Sequence, residues 1–231
     1  MGKETVSKPP NNPAAIQTIE LLKRRWLSKK AFEINLTRPA PFEFKAGQTI
    51  RFIHRSIKRY YSIVSTPDDP NLVLYVHHVP KGLFSQILAE VEIGARFNVT
   101  GPHGYFTFRP SARQAVFVAT GTGIAPFVSM GRSGVTDFIL LHEVEFTEDL
   151  YYHNLFRKIS LNYVPCLLRP IAGEIQPPGT FHGKAADFIR EKLQPASYDF
   201  YLCGGREMTR EVTLLADDRF SGSYVFKEVF F

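Results

Sequence analysis

Sulfur is scarce in this chain: two cysteines and three methionines in 231 residues. Cys166 and Cys203 stand in apolar, strand-like stretches, which argues against a disulfide framework. Two thiols also fall short of the four ligands of an iron–sulfur cluster, so any electron transfer proceeds without a cluster of the chain's own. No metal-ligand set is read from the sequence. No apolar run is long enough to cross a bilayer. The opening MGKETVSKPPNNP lacks the apolar core of a signal peptide, so a cytoplasmic protein is expected. No helix-turn-helix, zinc-finger or RNA-binding aromatic signature occurs, which counts against nucleic acid despite a net charge of +6.

That charge is uneven. Residues 1–110 carry 16 Lys and Arg against 8 Asp and Glu, whereas residues 111–231 carry 12 against 14. A basic first half suggests an acidic partner.

The residue pattern also changes near residue 111. After a Pro- and Asn-rich stretch over residues 1–14, read as a disordered tail, short β-favouring runs are broken by Pro, Gly and Asp. These runs are Ala15–Trp26, Ala31–Leu36, Gln48–His54, Arg59–Val64, Leu72–Val79 and Ala95–Thr100. With one short helix at Leu83–Val91, they predict a six-stranded antiparallel β-barrel over residues 15–110. From Gln114 onward continuous apolar runs alternate with helical segments. The runs are Gln114–Ala119, Thr136–Leu141, Val164–Leu168, Asp199–Cys203 and Tyr224–Val229. The helices are Ile124–Met130, Thr147–Ile159, Ala185–Lys192 and Arg206–Asp217. This alternation predicts an α/β doubly wound parallel sheet over residues 111–231.

Three stretches carry potential chemistry. In Arg59-Tyr60-Tyr61-Ser62, strand alternation puts Arg59 and Tyr61 on one face and Tyr60 and Ser62 on the other. A guanidinium could there reach an anion beside a ring lying on something planar. The run Thr120-Gly121-Thr122-Gly123-Ile124-Ala125-Pro126 is a glycine turn between strand and helix, where backbone approaches phosphate closely and the helix N-terminus attracts negative charge. Pro126 suits the first helical turn. Ala125-Pro126 stands in place of the third glycine of the dinucleotide fingerprint, so this turn serves a phosphate or none equally well. A second turn, Cys203-Gly204-Gly205-Arg206-Glu207-Met208, closes another strand at the same edge of the sheet.

In order and spacing, Arg59–Ser62, Lys81-Gly82-Leu83-Phe84-Ser85, Gly101-Pro102-His103-Gly104-Tyr105-Phe106, Gly121–Pro126 and Cys203-Gly204-Gly205 resemble the ferredoxin–NADP reductase family. The likeness runs from about residue 15 to the end, and the short first domain is most similar to bacterial ferredoxin or flavodoxin reductases and to reductase components of oxygenases. The resemblance implies FAD and a nicotinamide dinucleotide as cofactors. It implies that Arg59 binds the flavin diphosphate, Tyr61 lies on the isoalloxazine with Tyr60 beside it, and Ser62 sits near flavin N5. Gly82, Leu83, Phe84 and Ser85 would cover the diphosphate, and Tyr75, Val76 and His77 would run along the ribityl and adenosine side. Thr120, Gly121, Thr122, Gly123 and Pro126 would form the turn shared by flavin and nicotinamide. Gly204, Gly205 and Met208 would hold the pyridine nucleotide, with Cys203 beside nicotinamide C4. The end of the chain, Glu228-Val229-Phe230-Phe231, is similar to the Glu-x-aromatic terminus of plant-type members, with Phe230 or Phe231 as the ring stacked on the flavin. Ser62, Cys203 and Glu228 are the implied catalytic residues.

NADPH needs cations for its 2′-phosphate, while NADH needs acceptors for two ribose hydroxyls. Glu143 and Glu145 follow the second strand of the α/β half, and Glu145 stands where NADP-preferring members commonly carry arginine. Arg169 and Lys184 match positions that are basic in those members. The balance tips to NADH. The expected partner is an acidic carrier such as ferredoxin or flavodoxin, met by Arg24, Arg25, Lys29, Lys30, Arg55 and Lys58, with the reductase itself a monomer. Three rival readings are a reductase of diffusible flavin, a non-catalytic electron-relay subunit, and a nucleic-acid or scaffold protein using the basic half, the last opposed by the intact glycine turns and Arg59–Ser62 quartet.

Overall fold

The computed structural model describes residues 15–229; the expected tail and the terminal Phe230-Phe231 ring lie outside the described residues. The first half holds β1 (Gln17–Trp26), β2 (Ala31–Thr37), β3 (Thr49–His54), β4 (Ile57–Ser62), β5 (Asn71–His77), α1 (Leu83–Glu90) and β6 (Arg96–His103). The strands form one antiparallel sheet in the order β4-β3-β6-β1-β2-β5. Its outer edges meet just past β4, where Ile63 bridges Leu74 and the Val64 N–H donates to the Val73 carbonyl at 2.8 Å, closing the barrel. Alternate residues point inward, so Ile19, Leu21, Phe32, Ile34, Phe52 and Val99 fill the interior and α1 adds Phe84 and Leu88. Truncating a fully buried ring such as Phe52 to Ala would cost roughly 3–5 kcal/mol.

The second half holds β7 (Gln114–Thr120), α2 (Ile124–Arg132), β8 (Ile139–Val144), α3 (His153–Ile159), β9 (Asn162–Leu167), β10 (Phe181–His182), α4 (Ala185–Lys192), β11 (Tyr198–Gly204), α5 (Arg206–Arg219) and β12 (Tyr224–Val229). All five neighbouring pairs are parallel, in the order β10-β9-β8-β7-β11-β12. The central strands are buried on both faces, which is why they read as unbroken apolar runs. The chain is thus a two-domain fold, an antiparallel barrel followed by a doubly wound sheet.

Three expectations need correction. The helix expected over Thr147–Ile159 is a 3₁₀ turn at Thr147–Asp149 and a separate α3, because Tyr152 takes a left-handed φ of 61° between them. The strand expected at Thr136–Leu141 begins at Ile139: Gly134 and Asp137, both at positive φ, spend the preceding residues on a turn. His142, Glu143 and Val144 therefore belong to β8 rather than to the loop after it. The strand expected at Arg59–Val64 covers 57–62.

The two sheets meet through a shared core in which Ala31, Val64, Tyr75 and Phe106 of the barrel pack with Phe127, Met130 and Tyr201. Polar contacts reinforce this seam. The Tyr152 hydroxyl donates to Glu33 Oε1 at 2.7 Å, Ser28 and Tyr151 share a 2.5 Å hydrogen bond, and Ser129 Oγ donates to the Ser65 carbonyl at 2.7 Å. Burial, then the neighbouring Glu33, pushes the Tyr152 hydroxyl far above its ordinary range, so it remains a donor. Among the described residues no helix is long and apolar enough to cross a membrane.

Candidate functional site

Strand order reverses between β7 and β11, and both end in glycine turns at the same edge of the sheet. Such a switch point opens a crevice beyond the strand ends. The two turns are built against each other. A Cβ on Gly123 would overlap the Cys203 carbonyl, and one on Gly204, at φ 137°, would overlap Thr120 Oγ1. Thr120 Oγ1 accepts the Gly205 N–H at 2.8 Å. Thr120, expected to touch cofactor, therefore spends its hydroxyl holding the second turn on the first. No side chain caps α2 or α5, and the Ile124 N–H that opens α2 donates back to the Gly121 and Thr122 carbonyls of the preceding 3₁₀ turn. Thr122 and Gly121 remain accessible, whereas Pro126 is enclosed in the first turn of α2.

Two expected contacts on this side are not available as side chains. Cys203 is fully buried against Ala119, Phe127 and Tyr201, and burial, then the nearby Glu228, raises its thiol well above the ordinary range. A thiol so placed is neither a nucleophile nor a proton donor at neutral pH. Met208 points into the core beneath α5 with Val212 and Phe200, so its side chain is enclosed rather than presented to a ligand.

On the barrel side, β4 alternates as its sequence requires. Tyr61 packs edge-on against Phe52 and tilts over Phe84, while Tyr60 faces His103 and lies under Arg51. Arg59 is exposed and near enough to the Tyr61 hydroxyl to act on it; burial, only partly offset by Arg59, still pushes that hydroxyl up to about 12. No side chain caps α1, whose N-terminus follows Gly82; a Cβ there would lie 2.7 Å from Ser85 Oγ and 2.8 Å from Val79 Cβ. Ser85 Oγ accepts the Val79 N–H at 3.2 Å, so it ties this turn together. Leu83 is exposed, and Phe84 fills the barrel core. The expectation for Tyr75–His77 is corrected by the same alternation: Tyr75 packs tilted against Tyr151 and edge-on to Tyr152 across the seam, Val76 is buried in the barrel, and of the three only His77 reaches solvent.

Between the halves, the last described strand returns to the barrel. Glu228 pairs in register with Cys203, and its Oε1 lies 3.4 Å from where a Gly104 Cβ would stand. Thr49 Oγ1 lies 4.0 Å from the same point, and Thr49 is the ladder partner of both Ser62 and His103. Ser62 Oγ and Glu228 Oε2 are both buried without a hydrogen-bond partner. Two orphaned oxygens at one seam is the state expected where a polar ligand completes the hydrogen bonding. Burial raises the Glu228 carboxyl to about 7. Thr49 carries no signal of its own in the sequence, and Gly104 is marked only as part of Gly101–Phe106; both become neighbours of Glu228 only through folding.

The residues expected on the ribose side are engaged by the protein itself. Glu143 Oε2 accepts the Ala185 N–H at 2.7 Å and so caps α4, rather than standing free for a ligand. Glu145 lies 3.8 Å from Arg169, and Lys184 lies 2.7 Å from Glu207 and 3.4 Å from Glu211. Glu211 escaped the sequence reading; its i,i+4 spacing from Glu207 on α5 was the available sign.

A closed barrel joined to a doubly wound sheet, with glycine turns and helices without side-chain caps facing one seam, is the architecture of the two-domain class that binds a flavin and a dinucleotide. The family model described as oxidoreductase FAD-binding domain matches residues 19–108, and the oxidoreductase NAD-binding domain matches residues 117–213. Ferredoxin–NADP reductase B of Sorangium cellulosum (strain So ce56) is 38% identical over 124 residues, 49% of this chain and 51% of that protein. The ferredoxin–NAD(P)(+) reductase component of the naphthalene 1,2-dioxygenase system of Pseudomonas putida is 29% identical over 204 residues, 83% of this chain and 62% of that protein. A solved ferredoxin NADP+ reductase from Neisseria gonorrhoeae, with bound FAD and NADP, superposes with a TM-score of 0.80 at 23% identity, covering 94% of this chain and 99% of that one. The chain belongs to the ferredoxin–NADP reductase-like family. It matches 51% and 62% of the lengths of the two curated relatives named here.

Proposed function

We propose that this chain is an NAD(P)H-dependent flavoprotein reductase that takes hydride from a nicotinamide dinucleotide and passes electrons singly to a separate acidic carrier. The barrel to about residue 110 is the FAD-binding unit and the remainder the NAD(P)-binding unit, working as a monomer. The observation that carries this reading is the pair of orphaned oxygens, Ser62 Oγ and Glu228 Oε2, at the seam between a barrel and a switch-point crevice.

Bound flavin supplies hydride acceptance and stepwise electron release, chemistry that no side chain here performs. The protein binds and orients. Arg59 and the uncapped N-terminus of α1 offer positive charge to a diphosphate. Tyr61, fixed by Phe52 and Phe84, presents a ring. The interlocked turns at Gly121–Gly123 and Gly204–Gly205 let backbone approach the dinucleotide. Ser62 supplies a hydroxyl, and Glu228, which titrates near neutrality, holds or releases a proton at Oε2. Cys203 shapes the wall and takes no covalent part.

Three of the cations expected to dock a carrier are committed elsewhere. Arg24 donates to the Leu88 carbonyl at 2.8 Å, Arg25 pairs with Glu33 at 2.7 Å and Lys30 with Glu148 at 3.0 Å. Lys29, Arg55 and Lys58 are exposed, and the last two flank the β3–β4 turn beside Arg59, so docking is assigned to that end of the barrel. Purified chain should be yellow, retain FAD through gel filtration and bleach on anaerobic addition of NADH. Colourless protein that reduces only added flavin would replace this reading with reduction of diffusible flavin.

A further inference from the structure

Around the start of α4, three carboxylates surround one lysine. Glu143, from the end of β8, caps the helix through the Ala185 N–H and so occupies the place where a free anion would otherwise settle. Lys184, the residue just before α4, is gripped by Glu207 at 2.7 Å and Glu211 at 3.4 Å, one turn apart on α5. Arg169 sits at the end of the neighbouring strand in a looser 3.8 Å pair with Glu145. The ends of β8, β9 and β10 lie side by side here: the Leu168 N–H donates to the Val144 carbonyl at 3.0 Å, and the Gly183 N–H to the Leu167 carbonyl at 3.0 Å. In doubly wound sheets the ribose of a dinucleotide lies over the end of the second strand, here β8.

Resting on the nucleotide-binding reading above, we propose that Glu207 and Glu211 are specificity determinants, which hold Lys184 away from a 2′-phosphate and so select the unphosphorylated dinucleotide. A dianionic phosphate arriving at β8 meets Glu143, Glu207 and Glu211 and finds the lysine already paired. A ribose diol, which needs acceptors, meets no such penalty. Discrimination therefore comes from α5, an element that does not follow β8 in the chain, in addition to Glu145. The ion pair sharpens itself: Glu207, through its hydrogen bond, raises the Lys184 ammonium above its ordinary range, and Lys184 holds Glu207 below its own.

The test is calorimetric titration of the FAD-loaded protein with ADP-ribose and with 2′-phospho-ADP-ribose, which differ only in the phosphate. The wild-type chain should bind ADP-ribose more tightly. Glu207→Gln with Glu211→Gln should shift the affinity ratio toward the phosphorylated ligand by roughly tenfold to a hundredfold. Adding Lys184→Met to that double variant should abolish the gain. An unchanged ratio in the double variant, accompanied by a lower melting temperature, would make the triad a strut between α4 and α5 and overturn the proposal. A gain that survives Lys184→Met would overturn the role of the lysine lock. Failure of wild-type protein to bind either ligand would overturn the nucleotide-site reading itself, whereas binding of both with an unmoved ratio overturns only this inference.

Discussion

Replacing Glu228 with Gln tests the seam directly. Burial lifts this carboxyl from an ordinary 4.5 to about 7, with no cation offsetting it. In the unfolded chain it ionises near 4.5 and in the folded chain near 7, so the protonated form favours folding. That stabilisation is fully present below about pH 4.5 and is lost as pH rises through 7. At ~1.4 kcal/mol per pH unit the full difference is about 3 kcal/mol. Glu228 is only half-buried, so solvent relaxation makes this an upper bound. Glu228→Gln is neutral at every pH and never bears the cost of ionising. It should melt close to wild type at pH 4.5 and higher at pH 8, by up to roughly 6–12 °C at ~2–4 °C per kcal/mol for a chain of this size. Scanning calorimetry of both flavin-free proteins at the two pH values is the assay. A melting difference independent of pH, or a less stable variant at pH 8, would refute the reasoning. With flavin bound, a kinetic group titrating near 7 in the rate of reduction by NADH should disappear in the variant.

Ser62→Ala removes a hydroxyl that the protein leaves unpaired, so it should slow anaerobic flavin reduction about tenfold in stopped-flow traces while FAD content stays near one per chain; an unchanged rate removes Ser62 from the reaction. Gly123→Ala forces a methyl onto the Cys203–Gly204 peptide and should lower the urea midpoint by the equivalent of about 3 kcal/mol; a midpoint like wild type would mean the two turns are not interlocked. Arg55→Glu with Lys58→Glu should raise the KM for an acidic carrier and flatten its salt dependence, leaving NADH oxidation with ferricyanide unaltered. A carrier KM insensitive to both charge reversal and salt would move docking elsewhere.

Much of the architecture was legible because it rests on local physics. Period-two alternation and turn residues mark the barrel strands, and double-sided burial makes Gln114–Ala119 and Asp199–Cys203 continuous apolar runs. Glycines before Ile124 and Arg206 mark turns that backbone conformation demands. The errors arose where conformation depends on distant partners. Nothing near Tyr152 announces its left-handed turn, which the Glu33 hydrogen bond and Tyr75 hold in place. Two-residue β10 is too short to carry a periodic signal and exists because β9 is beside it.

The site divides in the same way. Sequence by itself determined which residues could serve a flavin and a dinucleotide: the Arg59–Ser62 strand, the two glycine turns, and the Glu228 terminus. Only tertiary structure decided which side chains are free to do so. Thr120, Ser85 and Glu143 were plausible ligands by residue type, yet each satisfies a backbone N–H of its own fold. Cys203 and Tyr75 were plausible by position, yet a buried strand end and the domain seam enclose them. Ser62 and Glu228 are about 170 residues apart in the chain, and each leaves a buried oxygen without a partner at the same seam. Hydrogen-bond satisfaction is a property of the whole packed molecule, so no stretch of sequence states which polar atoms will be left over.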